Sequence, residues 1–185
     1  MELTLVSRKL GNKSEVKKIR RQGDIPAILY SKGEKGKPIV VNGNAFLKSL
    51  NQIEKGTLSS KVFFLEIEGK KIKAIIKDIH YAITSYAIIH LDFQELYDDI
   101  PITLNIPVKF LNTVECAGVK LGGVLRQLLR QVKVSCLPGH IPDRFNFDVR
   151  DLVLGQSLKL NTLKVPNGVE VITKLNEVVV TVAKK

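Results

Sequence analysis

Val62-Phe63-Phe64-Leu65-Glu66-Ile67, then Gly69-Lys70-Lys71, then Ile72-Lys73-Ala74-Ile75-Ile76, is the stretch that decides the fold. Two apolar runs with period-two patterning flank a glycine-bearing connection, which is the signature of a β-hairpin. Upstream, Ile39-Val40-Val41 and the pair Leu3 and Leu5 continue the strand pattern. Downstream, Tyr86-Ala87-Ile88-Ile89-His90-Leu91-Asp92-Phe93 alternates, sending Ile89, Leu91 and Phe93 to one side and Ile88, His90 and Asp92 to the other. Two short helices interrupt the strands. One opens at Ser14 as N-cap with Val16 and Ile19 facing inward, and one opens at Asn44 with Phe46, Leu47 and Leu50 facing inward.

Acidic turn chemistry at Leu96-Tyr97-Asp98-Asp99 marks a boundary, dividing the chain into residues 1–95 and 96–185. The second part is also mainly β. Its candidate strands are 100–108, 132–137, 144–149, 157–160, 169–172 and 178–182, with a short helix expected over Gly123–Arg130 that sets Arg126 and Arg130 on one face. With 185 residues and 44% hydrophobic composition, the chain can bury one good core or two small ones.

Charge narrows the partner. The chain carries a formal +11, a balance typical of proteins that bind polyanions. Residues 1–94 hold 17 Lys and Arg against 9 Asp and Glu, a net of +8; the remainder holds 12 against 9, a net of +3. Within the front half, Arg8, Lys9, Lys13, Lys17, Lys18, Arg20 and Arg21 face a single acid, Glu15, before the chain turns apolar at Ile25-Pro26-Ala27-Ile28-Leu29-Tyr30. Cations held by a helix on a sheet suit a phosphate backbone, where each neutralised phosphate releases counterions. A solvated basic helix has the same composition.

Selectivity needs more than charge. An outward His90 and Asp92 can meet base amino groups or a ribose 2′-hydroxyl, although an ordinary polar strand face has the same pattern. Tyr30 offers a ring for stacking, or is core. Lys32, Lys35 and Lys37, spaced by Gly33 and Gly36, read as a basic loop at the rim.

Other chemistries lack their residues. His80, His90 and His140 lie in separate segments without metal-ligand spacing, and no serine or cysteine sits in a nucleophile motif. Gly118–Gly123 is glycine-rich but has no Gly-Lys-Ser/Thr, so it reads as a turn. No catalysis, cofactor or metal is expected. Cys116 and Cys136 read as reduced core residues. No apolar run approaches a membrane span, and Met1-Glu2-Leu3-Thr4-Leu5-Val6 is too short and too soon charged for a signal peptide, so a cytoplasmic protein is expected.

The segments from Arg8-Lys9 through Lys17-Lys18-Ile19-Arg20-Arg21-Gln22-Gly23-Asp24-Ile25-Pro26-Ala27-Ile28-Leu29-Tyr30, then Ile76-Lys77-Asp78-Ile79 and His90-Leu91-Asp92-Phe93, closely resemble the bL25 family of bacterial ribosomal proteins. Glu115–Gly123, Cys136-Leu137-Pro138-Gly139-His140-Ile141-Pro142, Phe147–Leu152 and Leu154-Gly155 resemble its long, two-domain form, the CTC or general stress protein type. The resemblance implies an N-terminal six-stranded β-barrel followed by a second β-rich domain. It also implies a non-catalytic component of the large subunit, which binds an irregular internal loop of 5S rRNA within the central protuberance. The RNA-binding residues so implied are Arg8, Lys13, Lys17, Lys18, Arg20, Arg21, Tyr30, Lys77, His90 and Asp92. Neighbouring large-subunit proteins are the other expected partners, with the free protein monomeric. The chain departs from the family at Val16, at Ser31 after Tyr30, at Lys17-Lys18 where arginines are common, and at Lys77 where some members have glutamine. Lysine lacks the planar fork of arginine, so these positions supply attraction more than geometry.

Overall fold

The computed structural model describes residues 2–8, 13–32, 35–54, 56–67 and 69–184. Lys9 and Gly33, which belong to the expected basic hook and basic loop, lie outside them. The chain divides into two compact units, Met1–Ile100 and Pro101–Lys185.

In the first unit the elements run β1 (Glu2–Ser7), α1 (Lys13–Arg21), β2 (Ile25–Tyr30), β3 (Lys37–Val41), α2 (Gly43–Gln52), β4 (Val62–Ile67), β5 (Lys70–Tyr81) and β6 (Ile88–Glu95). The six strands close into a barrel in the order β1-β3-β2-β6-β5-β4. Parallel pairing of β1 with β4 completes the ring, and β6 enters between β2, to which it is parallel, and β5, to which it is antiparallel. A closed ring leaves no strand edge to solvent.

Alternation fills the barrel as expected of a small one. Leu3, Leu5, Ala27, Leu29, Ile39, Val41, Phe63, Leu65, Leu91 and Phe93 are buried together, and Phe46 of α2 joins them. The Phe63 ring stands 6.3 Å edge-on from Phe93 and 6.4 Å from Phe46. Such buried aromatic pairs contribute about 0.5–1.5 kcal/mol beyond area burial.

Both helix starts differ from expectation. α1 begins at Lys13, so Ser14 lies in its first turn and is not its cap; Val16 and Ile19 are half-buried. α2 begins at Gly43 and is capped by Asn42, whose side-chain oxygen accepts the Ala45 N–H at 2.9 Å. Leu47 is 48% exposed, not inward, because Phe46 and Leu50 define the packing face and Leu47 falls about 100° round the helix from Phe46. Gly43 has a positional reason. A Cβ there would collide with the Gly23 carbonyl oxygen, so α2 can abut the turn leaving α1 only with glycine at that place.

The second unit runs β7 (Ile102–Leu111), α3 (Ala117–Lys120), β8 (Gly123–Gln127), β9 (Gln131–Cys136), β10 (Phe145–Asp148), β11 (Ser157–Lys159), β12 (Val169–Val171) and β13 (Val178–Lys184). They form a four-stranded sheet, β10-β7-β9-β12, and a three-stranded one, β11-β13-β8. The helix expected over Gly123–Arg130 is a strand instead. Its Leu125 and Arg126 pair with Val182 and Thr181 of β13, and tertiary pairing overrides the helical spacing of its apolar residues. Gly123 lies against Leu154 and Val182, closer than any side chain would permit. The short helix falls earlier, where a turn was expected. Cys116 and Cys136 are free and buried.

Candidate nucleic-acid interface

The site is built on the outer faces of β2, β6 and β5. The expected β5 ends at Ile76, but the strand continues to Tyr81 with a bulge between Ile76 and Asp78. That extra residue, Lys77, reverses the alternation, so Ile76 and Ile79 both pack inward while Asp78 and His80 turn outward. Across the ladder Asp78 then faces Asp92, and His80 faces His90.

The register assembles the face. Ile28 of β2 is opposite Asp92, and Tyr30 is opposite Gln94, so Tyr30 stands two residues along, roughly 7 Å from the Asp92 level. Tyr30 is partly exposed, and Gly36 packs against its ring and against Ile28, whose Cγ2 would lie 2.7 Å from a Cβ at Gly36. His90 and Asp92 are partly buried, whereas Asp78 and His80 are largely exposed.

Arg20 joins the helix to this face. Its Nε donates to the Ile89 carbonyl at 3.1 Å, so α1 is fixed beside β6 and only the terminal nitrogens of Arg20 remain for an anion. Lys13, Lys17, Lys18 and Arg21 are exposed on the same helix, with Lys13, Lys17 and Arg21 in register at i, i+4 and i+8. Lys77 is exposed at the bulge. Arg8, directly after β1, sits near enough to His90 for its charge to act on the imidazole.

Electrostatics at the centre are unbalanced. His90 Nδ1 lies 2.9 Å from Asp92 Oδ1, a contact that favours the protonated imidazole. Beyond that contact Asp92 Oδ1 is buried with no further partner among the described residues, and Arg8 Nε is a buried donor with none among them. Burial, the largest influence, pushes the His90 pKa below 6.5; Asp92 opposes this and is outweighed, while His80 and Arg8 act with burial. The His80 and His90 rings meet edge-on at 5.7 Å, and His80 Nε2 is 3.5 Å from Asp78 Oδ2. Like charges on Asp78 and Asp92 directly across a ladder are unfavourable by themselves.

The structure thus brings Arg8, Arg20, His90 and Asp92 together, with Tyr30 and Lys77 on adjoining strand positions and the remaining helix cations alongside. His80 and Asp78 are the residues that sequence reasoning missed. Reading the histidines as scattered is correct for His140 and wrong for the other two, which pair across antiparallel strands. Plain alternation from Ala74 and Ile76 would send Asp78 and His80 inward, and the conflict of two polar residues with a core face was the one hint of a bulge at Lys77.

The model of the Ribosomal L25p family matches residues 3–93, and that described as ribosomal protein TL5, C-terminal domain, matches residues 101–185. A protein of Chlamydia pneumoniae described as large ribosomal subunit protein bL25 is 51% identical over 185 residues, covering all of both chains. The chain belongs to the bL25 family. Proteins of the same description from Chlamydia trachomatis serovar A and Chlamydia muridarum are 50% and 49% identical, again over the full length of both chains. These matches span both units, so the long, two-domain form of bL25 applies to the chain throughout. Among the described residues, no helix is long and apolar enough to cross a membrane.

Proposed function

We propose that the first unit, as a bL25 barrel, binds an irregular internal loop of 5S rRNA, and that the chain is a non-catalytic structural component of the large ribosomal subunit within its central protuberance. The supporting observation is the Arg20–Ile89 hydrogen bond, which sets the cationic helix and the His90/Asp92 strand in one surface. Cations attract phosphates and fix register; the partly buried carboxylate and imidazole discriminate among base edges and 2′-hydroxyls in a widened groove. The protein is then ribosome-associated in the cytoplasm and monomeric when free, and the second unit, which begins at Pro101 where the sequence boundary was set at residue 96, contacts neighbouring large-subunit proteins.

Gel shift against 5S RNA and a duplex of equal length tests this. Selective retardation of 5S RNA is expected. An adaptor for acidic proteins, which the exposed Ile83 and Tyr86 at the β5–β6 turn would serve, shifts neither RNA selectively, and that result overturns the reading.

A further inference from the structure

His80, His90 and Asp92 each place a donor atom within 4.8 Å of the others, on a face open to solvent. Two imidazoles and one carboxylate form a donor set suited to transition metals, with an open position left over. The backbone holds the donors in place. His80 and His90 are direct cross-strand partners and Asp92 is two residues along on the same face, so closing on an ion asks for side-chain rotation and no change of register. Asp78, with Oδ2 3.5 Å from His80 Nε2, is placed to orient that ring from outside the cluster.

The surroundings select the ion. One carboxylate leaves a bound divalent ion uncompensated by one charge, and Arg8 is close enough to His90 to oppose a cation. Hard ions such as Mg2+ depend on charge and oxygen ligands and gain little here. Zn2+ and Ni2+ bind imidazole nitrogen for reasons beyond charge.

We propose that His80, His90 and Asp92 form a binding site for a transition-metal ion of the Zn2+ or Ni2+ kind. The claim goes beyond RNA binding and stands without it. It has one consequence for that reading: His90 and Asp92 cannot serve the ion and the nucleobases together, so the metal and RNA exclude each other.

Isothermal titration of the full chain with ZnCl2, NiCl2 and MgCl2 tests it. One Zn2+ or Ni2+ per chain is expected and no Mg2+ binding. His80→Gln and His90→Gln each weaken Zn2+ by about tenfold or more, the range even an outer ligand's loss produces, while His140→Gln binds as the parent does. Circular dichroism establishes that the variants keep the barrel. Because His80 is largely exposed, His80→Gln leaves the core intact. The proposal is overturned if the parent takes up neither ion, or if His80→Gln binds Zn2+ as tightly as the parent. Broadening of His80 and His90 imidazole signals by Ni2+, with His140 spared, is the expected second readout, and uniform broadening overturns the assignment. Zn2+ should also weaken RNA binding by the parent, and removing the ion with EDTA should restore it. Equal RNA binding with and without saturating Zn2+ rejects mutual exclusion alone. Failure to bind RNA at all rejects the proposed function and leaves the metal titration standing.

Discussion

Asp92 and His90 carry opposite consequences of the same burial. With Asp92 Oδ1 buried and in contact with no partner beyond His90 among the described residues, Asp92→Ala should leave general RNA affinity nearly intact and erode preference for the irregular loop by ~1–3 kcal/mol, read as the ratio of affinities for 5S RNA and duplex. Lys17→Ala should weaken binding to all RNAs alike and reduce the salt slope by about one unit. His90 should titrate below 6.5 by NMR of its imidazole, and lower still in Asp92→Asn, since Asp92 is what pulls it upward. The sign for stability follows from the depressed value. Between 6.5 and the folded midpoint the unfolded chain takes up a proton that the folded chain refuses, so His90's contribution is complete above 6.5 and lost as pH falls through that window. Residue by residue, the outward pair was readable because β6 alternates from His90 to Phe93, whereas a second register shift, opposite His80 and Tyr81, turns Ile88 and not the expected Ile89 toward the core. His80 was not readable, since one inserted residue at Lys77 reverses which side every later β5 residue takes.

Among elements, the contact between Gly43 of α2 and the Gly23 turn fixes where α1 ends. Gly43→Ala should cost about 1–3 kcal/mol in denaturant unfolding, as an overpacked site does, and lower RNA affinity by moving the helix exit. Asn42→Ala should cost about 1 kcal/mol from the lost cap and gives up only the long 3.4 Å bond to Asp24, so a smaller loss of RNA affinity than in Gly43→Ala separates the two effects. Helix ends were poorly legible for a physical reason: Ser14 and Asn44 are both good capping types, and only backbone geometry decides which polar residue takes the cap. β8 was misread because Val124, Leu125, Leu128 and Leu129 have spacing compatible with a helix. The partner that makes a strand of it, β13, lies more than fifty residues later in the chain. The hairpin of β4 and β5, by contrast, is local and was legible from its own residues.

At the scale of the molecule, each unit has a core of its own: Phe63 with Phe46 and Phe93 in the first, Cys116, Val149, Leu152, Val180 and Val182 in the second. Phe63→Ala should lower stability of the barrel by about 3–5 kcal/mol without changing amide exchange at Val132 and Val134, which lie in the second unit; parallel loss in both would mean that the units unfold together. Strands were legible from alternation, whereas barrel closure came from family resemblance, because β1 and β4 pair in parallel across some sixty residues and no local pattern encodes that.

The place of β6 in the ring sets an order of synthesis. It is the last strand of the barrel to be translated, and the ring cannot close until it pairs with both β2 and β5. A nascent chain that has not reached Glu95 already displays the lysines and arginines of α1 and lacks His90, Asp92 and the carbonyl on which Arg20 anchors. On the proposed reading such a chain should adhere to any polyanion within reach, with discrimination arriving only when the final strand slots home.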